Sequence, residues 1–326
     1  MDYTPKNILL CGGAGFIGSH VLNILVKKYP SYRFYNLDKL DYCASLKRLE
    51  PIKECSNYNF IHGDICSTDL VNHIIREHEI DTIINYAAQT HVDNSFGNSL
   101  TFTQNNIVGT HNLLECAKKN HIKRFIHIST DEVYGSIGDI AAHEGTILDP
   151  TNPYSASKAA AEMLVRSYAH SFNLPIIITR SNNIYGPNQF PEKIIPKFVD
   201  QLLDGRKITI HGNGQNQRSF LHVEDVVRAF DIILHKGSLS TVYNIGSNNE
   251  IKNIDLARKI AKHLNMEPSE NIEYVEDRCF NDHRYFISSE AVKNLGWKEE
   301  IAFEDGLVET INWCVKNQGF FTSDST

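Results

Sequence analysis

Residues 7–18 read Asn-Ile-Leu-Leu-Cys-Gly-Gly-Ala-Gly-Phe-Ile-Gly, a short apolar run that breaks into spaced glycines. Ser19–Tyr29 follows with helical periodicity. The run Asn7–Cys11 is too short for a helix and reads as a strand, so the segment is strand, glycine turn, helix. Gly12, Gly15 and Gly18 fit G-x-x-G-x-x-G, with Phe16 and Ile17 between the last two. That spacing is a variant of the dinucleotide fingerprint. The first glycine permits a tight turn, the second lets backbone approach a pyrophosphate, and the third lets helix and strand pack closely. The free N–H groups of the helix N-terminus then face the phosphates.

The next strand, Arg33–Leu37, ends in Asp38, 20 residues after Gly18. A carboxylate there accepts from both ribose hydroxyls of an adenosine and repels a 2′-phosphate, which favours NAD over NADP. Lys39 is adjacent and offsets part of that repulsion. Phe60–Ile65 is a third strand with a polar end. Asp64 is placed for an adenine amino group and Ile65 for the adenine face; the competing reading makes Asp64 the cap of a helix over Ser67–His78. Asp81–Tyr86 is a fourth strand. Ala87 and Ala88 follow, small enough for a cofactor to lie close. Thr90–Ser95 is a polar loop beside the expected site. His91 within it reads equally as a ligand contact or as a hydrogen-bonded structural histidine, and Ser95 is a candidate substrate contact. Asn98–Lys119 reads as one long helix with an apolar stripe at Leu100, Thr103, Ile107, Leu113, Leu114 and Ala117. Arg124–Ser129 is the fifth strand. Strands alternating with helices imply right-handed crossovers and a parallel α/β sheet.

The end of the fifth strand carries the chemistry. Ser129-Thr130-Asp131-Glu132-Val133-Tyr134-Gly135 puts a hydroxyl and two adjacent carboxylates at its C-terminal end, where ligands bind in open parallel sheets. Asp131 and Glu132 read either as a helix-capping acid pair or as an acid and a base for an elimination. Gly135–Asn152 is a loop long enough to be functional. Asn152-Pro153-Tyr154 opens a helix on which Tyr154 and Lys158 share a face. Alone, Tyr-x-x-x-Lys is a solvated helix face. Beside a dinucleotide fingerprint and a strand ending in Ser-Thr, it reads as a redox pair. A phenol is a poor base near neutrality. A nearby ammonium and a nicotinamide cation favour the phenolate, so the Tyr154 pKa is expected to fall. Thr130 can donate to the same substrate oxygen, and Lys158 can hold the nicotinamide ribose. An alcohol dehydrogenase or sugar 4-epimerase needs no further carboxyl groups. A dehydration does, because ketone formation acidifies the neighbouring C–H and a carboxylic acid must protonate the departing hydroxyl.

Pro175–Arg180 is a sixth strand. Beyond it the pattern changes: Ser181–Pro191 is polar and turn-rich, Glu192-Lys193 leads into a helix ending at Gly205, and Ile208–His211 is a strand. Arg218–Val226 starts a further strand–helix unit, and Tyr243–Gly246 is a strand. Helices are expected near Ile254–Leu264 and Phe303–Asn317. The fold class is thus α/β, a doubly wound parallel sheet of Rossmann type with a smaller interleaved C-terminal domain. Residues 1–180, with a return near 217–246, form the NAD-binding part, and 181–326 mainly the substrate-binding part.

Composition limits what else such a chain can do. A net charge of −7 with no Lys/Arg run argues against a nucleic-acid partner. No apolar run approaches a membrane span, and the N-terminus has no signal-peptide pattern. The seven cysteines include no C-x-x-C pair and read as reduced thiols in a cytoplasmic compartment. The fifteen histidines are scattered, so no metal site is expected.

These segments resemble the extended short-chain dehydrogenase/reductase family, and within it the nucleoside-diphosphate-glucose 4,6-dehydratases. The similar motifs are Gly12–Gly18, Asp38-Lys39-Leu40, Asp64-Ile65, Ala87–Asp93, Ser129–Gly135, Asn152–Lys158, Ser181-Asn182-Asn183 through Pro196, and Asp277-Arg278 with Arg284-Tyr285. The Thr-Asp-Glu triplet separates this subfamily from the 4-epimerases, which are the alternative. The resemblance implies oxidation at C4 with Tyr154 as base, then loss of water with Glu132 as the C5 base and Asp131 as the C6 acid. Hydride return to C6 completes a 4-keto-6-deoxy sugar nucleotide. It also implies substrate contacts at Asn183, Glu192, Lys193, Arg218, Asn249 and Arg278, and a homodimer built through the helices at 98–119 and 152–172. Many bacterial members have Pro-Gly-His after the arginine, where this chain has Cys279-Phe280-Asn281. Asn281 therefore falls near the expected nucleotide pocket, and dTDP-glucose and UDP-glucose both stay open. A non-catalytic NAD-sensing scaffold is a third reading.

Overall fold

In the computed structural model, which describes residues 3–277 and 284–321, seven strands form one parallel sheet. They are β1 (Asn7–Cys11), β2 (Arg33–Asp38), β3 (Tyr58–His62), β4 (Thr82–Asn85), β5 (Arg124–Thr130), β6 (Ile176–Ser181) and, after β7 (Asn183–Tyr185), β8 (Ile208–His211) and β9 (Gln217–His222), the strand β10 (Thr241–Ile245). The order across the sheet is β3-β2-β1-β4-β5-β6-β10. The direction of winding reverses between β1 and β4, which opens a crevice at the strands' C-terminal ends.

Alternation along each strand fills two cores. On β1, Ile8 and Leu10 face one layer while Leu9 and Cys11 face the other. The first layer is closed by the helices Phe16–Lys28 and Val223–Lys236, the second by Thr68–Glu77, Gly109–Lys119 and Pro153–Phe172. Strands buried on both faces read as near-continuous apolar runs, as β1, β4 and β6 do. A third core lies among the helices Ile194–Leu203, Asn253–His263 and Phe303–Lys316. Beside it sit a three-stranded sheet, with β9 between β7 and β11 (Glu250–Lys252), and the pair β8 with β12 (Ile272–Val275). Chain 223–245 returns to the large sheet, while 217–222 belongs to the small one.

Several local expectations change. The segment expected as a turn after β6 contains β7, which pairs in parallel with β9. The third strand ends at His62, leaving Gly63–Ile65 as the turn. The long helix near 98–119 is present but carries a π-helical stretch, Thr103–Val108, between Ser99–Phe102 and Gly109–Lys119. The wider turn shifts the phase of the apolar stripe. Leu100 is therefore 79% exposed, and Asn105 and Asn106 are turned inward.

The helix Pro153–Phe172 is pinned at both ends of its first half. Asn152 and Ser155 form a reciprocal capping box ahead of Pro153. Two turns on, the buried Glu162 accepts from Arg180 Nε of β6 at 3.0 Å, and a second Arg180 nitrogen bonds its other oxygen. Both side chains are fully buried. Breaking such a pair strands a charge, so Glu162→Ala should lower the unfolding free energy by about 3–5 kcal/mol in urea denaturation. Replacing Glu162 and Arg180 together by leucine and methionine should recover most of that loss.

Candidate active site

The glycine turn is built by close contact. Gly12 has φ +83°, and a Cβ there would lie 2.6 Å from the Ala87 backbone nitrogen. A Cβ on Gly18 would lie 2.5 Å from the Gly12 carbonyl oxygen. Only glycine fits either place, and the helix Phe16–Lys28 is thereby drawn against the end of β1. Gly15 caps this helix without any side-chain hydrogen bond, so its first N–H groups point to the crevice unclaimed by a capping side chain. Asp38 is buried at the end of β2, accepting from the Ala14 and Leu40 N–H groups at 2.8 Å each. Burial raises its pKa, and those two amides oppose the rise. Lys39 bonds the Asn105 side chain and lies 3.3 Å from Asp41 and 3.8 Å from Asp64. Its charge is thus directed to acids of this chain. Asp64 does not cap the following helix, whose N-cap is Ser67; it closes a turn by accepting from the Cys66 N–H at 2.9 Å. Ile65 is buried beside it, and Ala87 and Ala88 line the same cavity of about 420 Å³.

That cavity continues to Thr130, Asp131, Glu132, Tyr154 and Lys158. Asp131 is 3% exposed. Asn182 Nδ2 donates to its Oδ2 at 2.6 Å, and the Thr130 hydroxyl donates to its Oδ1 at 3.3 Å. Burial, reinforced by the neighbouring Glu132 carboxylate, pushes the Asp131 pKa up to about 7. Glu132 accepts from Asn152 Nδ2 at 3.3 Å and from the Tyr285 hydroxyl at 3.5 Å. Asn152 thus caps the helix of Tyr154 and holds Glu132 at once.

The expectation that Lys158 lowers the Tyr154 pKa is corrected. Lys158 Nζ donates to the Ile128 carbonyl at 2.6 Å, and burial brings its own pKa down to about 8, opposed by Glu162. Burial raises Tyr154 instead, Glu132 and then Asp131 adding to the rise, with a hydrogen bond shared with Thr130 opposing it.

On the far side the cavity is lined by Asn183, Glu192, Lys193 and Arg218. Glu192 accepts from the Tyr42 hydroxyl at 2.8 Å, and Lys193 donates to the Thr90 carbonyl at 3.0 Å. His91 also lines it, 3.9 Å from Glu192 and 3.7 Å from Asp93. The Arg218 guanidinium lies 4.7 Å over the Tyr285 ring. Two expected contacts are placed elsewhere. Ser95 is fully buried and donates to the Val92 carbonyl at 2.6 Å, and Asn249 is exposed and bonds Glu299 at 2.8 Å. Neither lines the cavity: Ser95 is satisfied by a carbonyl one turn back, and Asn249 by an acid 50 residues on. Arg278 and Asn281 lie outside the described residues. Sequence reasoning did not single out Asn152, Asn182 or Asn253 as site residues. The capping pattern Asn152-Pro153-Tyr154-Ser155 was a usable signal for the first. Among the described residues, no group of three His, Cys, Asp or Glu side chains converges as a metal site.

Fold and cavity together define an extended short-chain dehydrogenase/reductase. Residues 9–310 match the family model described as GDP-mannose 4,6 dehydratase, and the chain belongs to that family. Over 320 residues it is 55% identical to a trifunctional UDP-glucose 4,6-dehydratase/UDP-4-keto-6-deoxy-D-glucose 3,5-epimerase/UDP-4-keto-L-rhamnose-reductase of Arabidopsis thaliana. That match covers 97% of this chain and 48% of the plant protein, so the chain spans about half the length of such relatives. It is 47% identical over 317 residues to dTDP-D-glucose 4,6-dehydratase of Mus musculus, covering 96% of this chain and 89% of the mouse protein. The crystal structure of dTDP-glucose 4,6-dehydratase from Streptomyces venezuelae, with NAD bound, matches with a TM-score of 0.94 at 36% identity. It covers 97% of this chain and 98% of that one.

The raised Asp131 pKa has a consequence for stability that needs no substrate. An acid with a raised folded-state pKa favours folding fully only below its unfolded value, and that contribution is lost as pH rises through the folded one. Stability should therefore fall between about pH 4 and about pH 7 through this group. Asp131→Asn should raise the melting temperature near pH 8 more than near pH 4. Parallel melting curves for the two proteins would refute the assignment.

Proposed function

We propose that the chain is an NAD-dependent sugar-nucleotide 4,6-dehydratase, a hydro-lyase that converts dTDP-glucose or UDP-glucose to the 4-keto-6-deoxy sugar nucleotide. The observation that carries this is the sharing of one cavity by Tyr154, Thr130 and two differently held carboxyl groups. A 4-epimerase has work for the first two only.

The donor set fits NAD. Gly12, Gly15, Phe16, Ile17 and Gly18 line the cavity at the helix N-terminus and serve the pyrophosphate, the close packing at Gly12 and Gly18 holding that turn against the end of β4. Asp38 serves the adenosine ribose, and Lys39, engaged by acids, is poorly placed to hold a 2′-phosphate. Asp64 and Ile65 take the adenine, Ala87 and Ala88 leave room along the cofactor, and Tyr154 and Lys158 face the nicotinamide ribose. Bound NAD supplies the hydride sink at C4, the hydride returned to C6, and a positive charge that favours the Tyr154 phenolate.

Each residue then has one proton to manage. Tyr154 takes the C4 hydroxyl proton while Thr130 donates to the same oxygen. Glu132, kept accepting by Asn152 and Tyr285, removes the C5 proton and later returns one there. Asp131, poised near neutrality, protonates the departing C6 hydroxyl. His91, Asn183, Glu192, Lys193 and Arg218 surround the sugar nucleotide, with guanidinium for the diphosphate. Arg278 and Asn281 are assigned to the same ligand on the resemblance of their segment. Residues 1–180 with the return near 217–246 serve NAD, and 181–326 mainly the sugar nucleotide.

The working unit is a homodimer through the helices at 98–119 and 152–172. Leu100, Val108, Met163 and Phe172 support this as exposed apolar side chains on those elements. Six free thiols among the described residues support a reducing, cytoplasmic setting. No described helix is long and apolar enough to cross a membrane.

Separate incubation with dTDP-glucose and UDP-glucose tests the reading. A 4-keto product absorbing in alkali is expected, with Tyr154→Phe lowering turnover roughly hundredfold or more. Interconversion of gluco and galacto sugars without a keto product would establish the epimerase instead. Sedimentation of a single species at monomer mass would remove the dimer.

A further inference from the structure

The catalytic acid has two oxygens, and the structure treats them differently. Asn182 Nδ2 donates to Asp131 Oδ2 at 2.6 Å. The Asn182 amide cannot turn over, because its own Oδ1 accepts the Ser247 N–H at 3.0 Å. A reversed amide would set oxygen against a carboxylate oxygen and NH2 against an N–H, losing both bonds. The anchor itself is cramped: a Cβ on Gly246 would lie 2.5 Å from Asn182 Oδ1, so glycine is required beside it. Ser289 holds Gly246 from both sides, donating to its carbonyl at 2.9 Å and accepting its N–H at 2.8 Å. The other oxygen, Asp131 Oδ1, accepts among the described residues only from a hydroxyl, Thr130 Oγ1 at 3.3 Å. A hydroxyl can turn from donor to acceptor, and an anchored amide NH2 cannot.

Resting on the dehydratase reading above, we infer that Asn182 is a positioning residue that decides which oxygen of Asp131 carries the proton. With Oδ2 committed as an acceptor, the acid proton rides on Oδ1, on the side of Thr130, which also lines the cavity. The elimination then balances simply. The Oδ1–H bond breaks and its proton joins the C6 hydroxyl oxygen. The C5–H bond gives its proton to Glu132 and its electron pair to a new C5=C6 bond, the C6–O bond breaks with its pair leaving as water, and Asp131 is left as a carboxylate already bonded by Asn182. C4 oxidation uses Tyr154 and the Thr130 hydroxyl, neither of which a change at Asn182 removes.

Asn182→Ala separates the two steps. On mixing with whichever sugar nucleotide the unaltered protein turns over, formation of reduced cofactor should stay within about twofold, since Tyr154 and Thr130 are intact. Keto-product turnover should fall roughly tenfold or more, because the proton is no longer confined to Oδ1. Loss of a hydrogen bond to the carboxylate form should also move the alkaline limb of kcat upward by roughly one pH unit. Asn182→Asp keeps the volume and the acceptor for Ser247, and serves if the alanine variant does not fold; it should give the same split with a larger upward shift. Equal losses in oxidation and elimination, or an unmoved alkaline limb, would reduce Asn182 to a structural role and overturn the inference. If the unaltered protein makes no keto product, the dehydratase reading falls and takes this inference with it. If it does and the variants match it, only the inference falls.

Discussion

Everything at the site follows from how closely the glycine turn can approach the end of β4. Two of its positions have no room for a Cβ, one against Ala87 and one against the turn's own carbonyl. That contact sets the first helix with its N-terminus over the crevice where the sheet reverses direction. The same crevice receives the ends of β4 and β5, so the glycine turn and Thr130–Glu132 share one cavity. A bulkier turn would lift the helix away and leave the cavity without a floor at its cofactor end.

The electrostatics of this cavity are those of desolvation. Asp131 is held near neutrality, Lys158 is brought down to about 8, and Tyr154 is raised. All three shifts favour the uncharged form, as burial dictates. Among the described residues, neutral amides donate to both carboxyl groups, Asn182 to Asp131 and Asn152 to Glu132. A salt bridge would fix an acid as its carboxylate and spoil it as a proton donor. An amide orients the group and leaves its charge adjustable. Thus a cationic cofactor entering such a site shifts the proton balance of every group facing it.

Helix and cap are also coupled to the chemistry through single residues. Asn152 starts the helix that carries Tyr154 and Lys158, and with its remaining NH2 holds Glu132. Glu162, two turns on, ties that helix to Arg180 in β6. The distance between Tyr154 with Lys158 and Asp131 with Glu132 is therefore set by the packing of one helix on two strands, not by a loop.

Glycine spacing, the acid at the end of β2, apolar strand periodicity and the Tyr-x-x-x-Lys pair are local patterns. They were sufficient to specify a parallel α/β sheet, the strand–turn–helix at residue 12, and the side chains that line the cavity from Asp38 to Lys158. The sequence by itself also placed Thr130, Asp131 and Glu132 at a strand end, because strand length and turn residues are readable within one segment. Only the tertiary structure decided which polar groups claim one another. It sent Ser95 to a carbonyl one turn away and Asn249 to Glu299, brought Asn182, just beyond β6, to Asp131, turned Asn105 and Asn106 inward through a π turn, and made burial raise Tyr154. Hydrogen-bond partners and desolvation depend on distances between segments far apart in the chain, and no local pattern carries those distances.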